Sequence, residues 1–235
     1  MRMQILPNGD LIANGVPVIV LLSYAYDVPV DPSSRLSFLP EWALRDRYDI
    51  KGKAIANGIS PSLQGNNSQS PVQKRKIREL LADRFKLALR VENKTMSVYI
   101  LTVGDSGPKL QKSATNKVCT FDTDPGGCHT FAFGFGHPLN AKAADMDDLA
   151  HYISNWTDLP VVNRTSLRGF FTFQTEGWLP MRLPPPPPDA SPDMNHFASL
   201  PTIFTVLGKL GLELHRQESI LPVYIVEHIE RPATN

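Results

Sequence analysis

The segment Gly104-Asp105-Ser106-Gly107-Pro108 has a composition that invites a chemical reading. A serine set between Asp and Gly can be an acyl-transfer nucleophile when neighbouring backbone N–H groups hold the oxyanion. Such a serine also needs a histidine to take its proton and an acid to orient that histidine. In the trypsin-like arrangement the base lies well upstream, yet no histidine precedes Ser106 in this chain. The segment also follows directly on the β-rich run Ser97-Val98-Tyr99-Ile100-Leu101-Thr102-Val103, where Asp-Ser-Gly-Pro is ordinary turn chemistry. A turn is therefore predicted, and no catalytic residue is assigned.

Cys119 and Cys128 enclose eight residues that include Pro125-Gly126-Gly127. In a secreted chain two cysteines in one loop favour a local disulfide, and this pair is the candidate. Free thiols, or a zinc site with His129 and His137, remain open on the residues alone. Structural zinc cysteines are typically two to four residues apart, a closer spacing than here. The six histidines, His129, His137, His151, His196, His215 and His228, contain no His-Glu-x-x-His pair. Asp145, Asp147 and Asp148 cluster at a predicted helix start, where negative charge suits the positive end of the helix dipole. No Gly-rich phosphate loop is present, and the expectation is no cofactor and no metal.

Four segments carry helical spacing. Val18, Leu21, Leu22 and Ala25 fall at i, i+3, i+4 and i+7, although Val18-Ile19-Val20 also suits a strand. Ser70-Pro71-Val72-Gln73 reads as an N-cap, a first-turn proline and a capping-box Gln, leading into Ile77, Leu80, Leu81 and Phe85. The charges of that helix, from Lys74 to Arg84, are assigned to a solvated face. Asp145 is the expected N-cap before Met146, Leu149, Ala150 and Ile153, with His151 beside that apolar stripe. Ser199 precedes Ile203, Val206, Leu207 and Leu210, and Gly211 can close that helix in a left-handed conformation.

Strands are expected at 47–51 and 169–173. Leu87, Leu89 and Val91 alternate with polar residues and lead to the Ser97 run as a hairpin, and Leu212-Glu213-Leu214 with Val223-Tyr224-Ile225-Val226 makes a last pair. The order repeats: an ungapped offset of 125 sets Phe85-Lys86-Leu87-Ala88-Leu89 on Leu210-Gly211-Leu212-Glu213-Leu214, and Val98-Tyr99-Ile100 on Val223-Tyr224-Ile225. The expected fold is α+β, in two similar halves, each with about two helices on a small, mainly antiparallel sheet. The first unit spans 1–110 and the second 136–235. A linker at 111–135 holds both cysteines. A Gly/Asn/Ser-rich loop at 57–70 and a proline-rich insertion at 178–195, with Pro184 to Pro188 as a stiff spacer, fall outside the repeat.

Lys+Arg 24 against Asp+Glu 23 leaves a net charge of +1 in 235 residues, which argues against a nucleic-acid partner. No apolar run approaches the ~20 residues of a membrane-crossing helix, and the first residues do not form a signal peptide. The 21 prolines exclude a simple helical bundle.

Pro40-Glu41-Trp42, Arg47-Tyr48-Asp49-Ile50-Lys51-Gly52-Lys53-Ala54 and Leu80-Leu81-Ala82-Asp83-Arg84-Phe85-Lys86-Leu87 carry a family likeness. Gly107-Pro108-Lys109-Leu110, Leu159-Pro160-Val161-Val162-Asn163-Arg164-Thr165-Ser166-Leu167-Arg168-Gly169 and the tail from Val223 to Pro232 continue it. Over nearly its whole length the chain resembles the large paralogous, soil-associated bacterial family of uncharacterised secreted proteins. The family pattern more often has Asp and Gly where this chain has Asn163 and Ser166. The resemblance implies an extracytoplasmic home and a start cropped of a signal peptide and an opening strand. Each half is also similar in element order to the short N-terminal domain of secretins and TonB-dependent receptors, an interaction module; that likeness is one of fold only. These features point to a non-enzymatic binding or scaffolding protein with a protein, peptide or glycan partner in the cell envelope. One alternative is a hydrolase with a site between the halves, using His151 or His228 and nearby carboxylates. Another is a sensor domain for a membrane partner.

The exported reading has a chemical consequence for the cysteines. Unfolded protein recovered from an exported source without reductant is expected to show no free thiol, and two after reduction. Closing so short a loop contributes about 2–3 kcal/mol. Two thiols before reduction would contradict the bridge.

Overall fold

The computed structural model describes residues 2–5, 11–30, 34–53, 71–113, 138–181 and 199–233. Cys119, Cys128, His129, His137, His196, the 57–70 loop and the proline run 184–188 lie outside the described residues. The fold is mixed α+β with small, mostly antiparallel sheets. In the first part of the chain come β1 (Arg2–Ile5), β2 (Leu11–Val16), α1 (Val18–Tyr26), β3 (Leu36–Ser37), α2 (Glu41–Arg45), β4 (Tyr48–Gly52), α3 (Pro71–Arg84) and β5 (Ala88–Val103). There follow β6 (Gln111–Lys112), β7 (Asn140–Ala144), α4 (Met146–Ser154), β8 (Val161–Asn163), β9 (Phe171–Gln174), α5 (Ile203–Lys209) and β10 (Leu212–His228). One antiparallel sheet has the order β1-β2-β4 and another β6-β9-β7. Between them β5 and β10 pair antiparallel, with β3 added parallel to β10 and β8 parallel to β5.

The hairpin expected at Leu87 to Val103 is not formed, and the last pair of strands is not two strands. Leu89 and the Ser97 run belong to one continuous strand, β5, and Leu212 to Val226 belong to another, β10. The polar residues between the apolar ends, such as Asn93 and Glu218, do not turn the chain. They stand in register with the other long strand, Asn93 opposite Pro222 and Glu218 opposite Ser97, and the ladder runs on through them. The register sets Thr95 opposite Ile220, residues 125 apart, so a two-fold axis through this pair would keep the two strands in register.

Two cores lie at the ends of this ribbon. Val16, Leu21, Leu22, Ile77, Leu81 and Phe85 fill the first, and Val226 of β10 joins them. Leu149, Ile153, Phe171, Ile203, Leu207 and Leu212 fill the second, joined by Tyr99 and Leu101 of β5. Each long strand thus buries one end in each core, and neither core is built from one stretch of sequence alone. At about 25 cal/mol per Å² of buried apolar surface, these side chains supply the main drive to fold.

Local signals set the element ends. α1 is helical despite Val18-Ile19-Val20 because its apolar face is fully buried, and it closes at Asp27 in the left-handed region (φ 53). Asp145 caps α4, accepting the Asp148 N–H at 2.8 Å. α5 is capped by Thr202, whose hydroxyl accepts the Thr205 N–H at 3.4 Å; Ser199 lies outside the helix.

Gly211 ends this last helical turn with φ 70. The 104–108 segment docks there: the Gly104 N–H donates to the Gly211 carbonyl at 3.0 Å, and Lys109 N–H to that of Leu210 at 2.8 Å. Gly107 N–H closes a turn on the Gly104 carbonyl at 2.9 Å. A Cβ on Gly211 would stand 2.0 Å from the Gly107 carbonyl oxygen, whereas one on Gly107 (φ +74) meets nothing within 4 Å. Gly211→Ala is therefore expected to cost about 2–4 kcal/mol, through overpacking as well as the left-handed backbone. Gly107→Ala carries only the conformational term, about 1 kcal/mol. Urea unfolding of both variants checks this, and equal losses would contradict the docking.

Candidate functional site

The Ser106 segment is the turn expected of it, and no histidine is hydrogen-bonded to Ser106 among the described residues. His215 and His228 are exposed and pair with acids two residues away, Glu213 at 3.0 Å and Glu230 at 2.8 Å. Glu227, the nearer acid in sequence to His228, pairs with Arg90 at 3.0 Å. These histidines are surface partners of neighbouring carboxylates, and the chemistry gathers around the fourth helix.

α4 turns Met146, Leu149, Ala150 and Ile153 into the second core. That choice of face leaves Asp147, Asp148 and His151 on the side facing elements of the first core. Three of those elements supply partners. Asp27, at the end of α1, takes the Lys74 ammonium of α3 on both carboxylate oxygens at 2.7 Å. Arg35 is buried beside them. Its Nη1 donates to the Asp27 carbonyl at 2.8 Å and its Nε to the Pro222 carbonyl of β10 at 3.1 Å. Val30 N–H donates to Asn155 Oδ1 at 2.9 Å, a direct link between the segment after α1 and the end of α4.

These groups enclose a cavity of about 310 Å³, lined by Asp27, Arg35, Lys74, Asp148 and His151, with β8 forming another wall. Asn163, at the end of β8, donates through Nδ2 to Asp147 Oδ1 at 2.8 Å. That pair separates this cavity from a second of about 350 Å³, in which Arg164, Ser166 and Arg168 stand against the start of α4. Asn163 also accepts the Thr165 N–H at 3.0 Å and its hydroxyl at 2.8 Å, so the Asn at this position folds its own loop.

The electrostatics are uneven. Burial, with the charges of Asp145 and Asp147, pushes the Asp148 carboxyl well above the ordinary range, against the pull of a hydrogen bond from the Asp145 backbone and of Lys74. Burial pushes the His151 imidazole down; Asp27 opposes this, and Lys74 and Arg35 add to it. Burial and the neighbouring charges of Asp148 and Asp27 push the Tyr24 hydroxyl up. The cavity therefore holds an acid inclined to keep its proton and an imidazole inclined to stay neutral. No group of three or more metal-ligating side chains occurs among the described residues.

Residues 20–229 match the family model described as Protein of unknown function (DUF3738). The chain belongs to that family. The match takes in each residue named as lining the cavity of this DUF3738 chain, from Asp27 to Asn163, and leaves out only β1 and β2 among its strands. No curated protein and no solved structure matches it.

Sequence spacing found part of this site. Spacing places Asp145, Asp148 and His151 at the start and side of a helix, and Asp145 is the cap expected. Nothing in the spacing singles out Asp27, Arg35 or Lys74. Lys74 and Arg78 depart from the solvated face assigned to them: Lys74 lines the cavity, and Arg78 donates to the Ala25 carbonyl at 2.8 Å with its guanidinium over Tyr26. Arg75 and Glu79 do form an exposed pair.

The raised carboxyl gives a signed pH dependence. Between the ordinary Asp value and the higher folded value, the folded chain binds more protons at Asp148 than the unfolded chain. Stability from this group is thus complete at low pH and is lost as pH rises through that window. Asp148→Asn keeps the shape of the protonated acid and removes the loss. Urea midpoints measured upward from pH 4 are expected to converge at the acid end and to favour the variant as pH rises. A variant that loses stability equally at every pH would contradict this.

Proposed function

We propose that this chain is an extracytoplasmic, non-enzymatic binding or scaffolding protein of soil bacteria, made of two related α+β units at 1–110 and 136–235. Its ligand site is the polar cavity between the two cores, and that cavity is the observation that carries the reading. Its volume, about 310 Å³, is at the lower end of the range for small-ligand sites. Its walls come from α1, α3, α4 and β8, so a bound molecule would tie together elements far apart in sequence. The family likeness supports the envelope location and a partner of envelope chemistry. Binding is favoured over catalysis because the His151 ring has no hydrogen-bonded carboxylate or hydroxyl among the described residues, the contact that orients a catalytic imidazole.

A second reading rests on the same place. His151, kept neutral beside Asp27 and Asp148, has the character of a general base in a hydrolase. Turnover of ester or amide substrates that disappears in His151→Ala would favour it.

The binding reading is tested by thermal unfolding of the purified chain against a panel of envelope-derived peptides, muropeptides and oligosaccharides. A ligand at a hundred times its Kd is expected to raise Tm by about 5–10 °C, and His151→Ala to abolish the rise. A panel without a saturable binder, or a binder indifferent to the cavity variant, would overturn it.

A further inference from the structure

The loop that follows β8 borders the second cavity, and its backbone is fixed at successive points. Arg164 N–H donates to the Leu101 carbonyl of β5 at 2.8 Å, which ties the loop down where β8 ends. Asn163 Oδ1 holds the Thr165 N–H and hydroxyl, and Thr165 Oγ1 in turn accepts the Leu167 N–H at 3.2 Å. Thr165 is buried and Leu167 packs against the second core, while Arg164, Ser166 and Arg168 between and beside them are exposed. All three line the cavity of about 350 Å³. Backbone bonds and the two inward side chains therefore order the loop without help from the three outward ones.

Those outward groups return little to the fold. Ser166 holds a left-handed backbone (φ 57), where a side chain costs energy and glycine does not. Its hydroxyl has no hydrogen-bond partner among the described residues, so nothing there offsets the strain. Elsewhere on the surface Arg45, Arg75, Arg84, Arg90 and Arg231 each pair with a carboxylate. The Arg164 and Arg168 guanidiniums have no such partner among the described residues. The carboxylates in the same wall are committed to other donors: Asp145 Oδ1 accepts the Asp148 N–H, and Asp147 Oδ1 accepts from Asn163. Two guanidiniums on one ordered loop thus line a cavity with their donors free.

Independently of the first cavity, we propose that Arg164, Ser166 and Arg168 bind a phosphoryl group in the second. A phosphomonoester carries about −1.5 to −2 charge at pH 7 and three strong acceptor oxygens. Each guanidinium is a rigid fork whose N–H groups match two such oxygens at once. The two forks share the three oxygens, and the Ser166 hydroxyl adds one further donor. A monocarboxylate would fill one fork and leave the second positive charge unmatched. Asp145 and Asp147 oppose any anion here, so a group that engages both guanidiniums together is the one favoured. The left-handed serine then has a use: it sets a hydroxyl between the two arginines where glycine would leave none.

The test uses the whole chain with inorganic phosphate and glucose 6-phosphate as probes, and glucose, acetate and succinate as controls, all at one ionic strength. Binding is followed by calorimetry and by the arginine Nε–H resonances in NMR, assigned through Arg164→Gln and Arg168→Gln. At least one phosphate probe is expected to saturate and to move both resonances, and each Gln variant to lose tenfold or more in affinity. Ser166→Gly is expected to raise the urea midpoint and to lower the affinity, a split that a purely structural serine would not produce. Tighter binding of inorganic phosphate identifies the free ion as the source, and tighter binding of glucose 6-phosphate an ester. The inference is overturned if neither phosphate probe saturates, or if glucose, acetate or succinate binds as tightly. Full affinity in either Gln variant or in Ser166→Gly overturns it too. None of these results bears on the His151 cavity, whose ligand panel is a separate measurement.

Discussion

The antiparallel pairing of β5 with β10 is the constraint on which the rest of the molecule depends. It runs from Leu212 opposite Val103 to His228 opposite Ala88. Its centre, around Thr95 and Ile220, is exposed, so burial cannot hold it there. What holds it is the ladder of backbone hydrogen bonds, anchored at each end where the strands enter a core. The cavity inherits its geometry from this ribbon. Arg35 is fixed to β10 through the Pro222 carbonyl and through Tyr224 N–H, which donates to the Arg35 carbonyl at 2.8 Å. β8, which carries Asn163, is paired to β5 at Tyr99 to Leu101. One wall therefore hangs from each long strand.

The chemistry follows from which face of α4 is left over. Its apolar stripe is committed to the second core, and the remaining face meets the ends of α1 and α3. Asp148 is brought close to Asp145, Asp147 and Lys74, and His151 to Asp27, Lys74 and Arg35. Both groups are driven towards their neutral forms mainly by desolvation, while the exposed imidazoles of His215 and His228 stand within hydrogen-bond distance of Glu213 and Glu230. The contrast between these histidines is one of enclosure rather than of residue type.

Local information made much of the fold legible. The i, i+3, i+4, i+7 stripes, the Asp145 cap, the proline at the start of α3 and the left-handed Gly211 depend on neighbours a few residues away. Alternation predicts a hairpin in place of β5 and a pair of short strands in place of β10 for the opposite reason. Asn93 and Glu92 look like a polar connection in sequence, but their partners Pro222 and Val223 are more than a hundred residues distant. Asp27, Arg35 and Lys74 were hidden in the same way, since only tertiary packing brings three separate segments to α4. An acid and a histidine three apart beside an apolar stripe were the one visible trace of the cavity.

The central claim is that α3 of the first core and α4 of the second meet across a cavity that neutralises His151. The most direct measurement is an NMR pH titration of the His151 ring in the wild-type chain and in Lys74→Met. The wild-type midpoint is expected below the usual histidine value, and to rise when the Lys74 charge is removed and Asp27 loses its partner. An ordinary midpoint that ignores Lys74→Met would contradict the account.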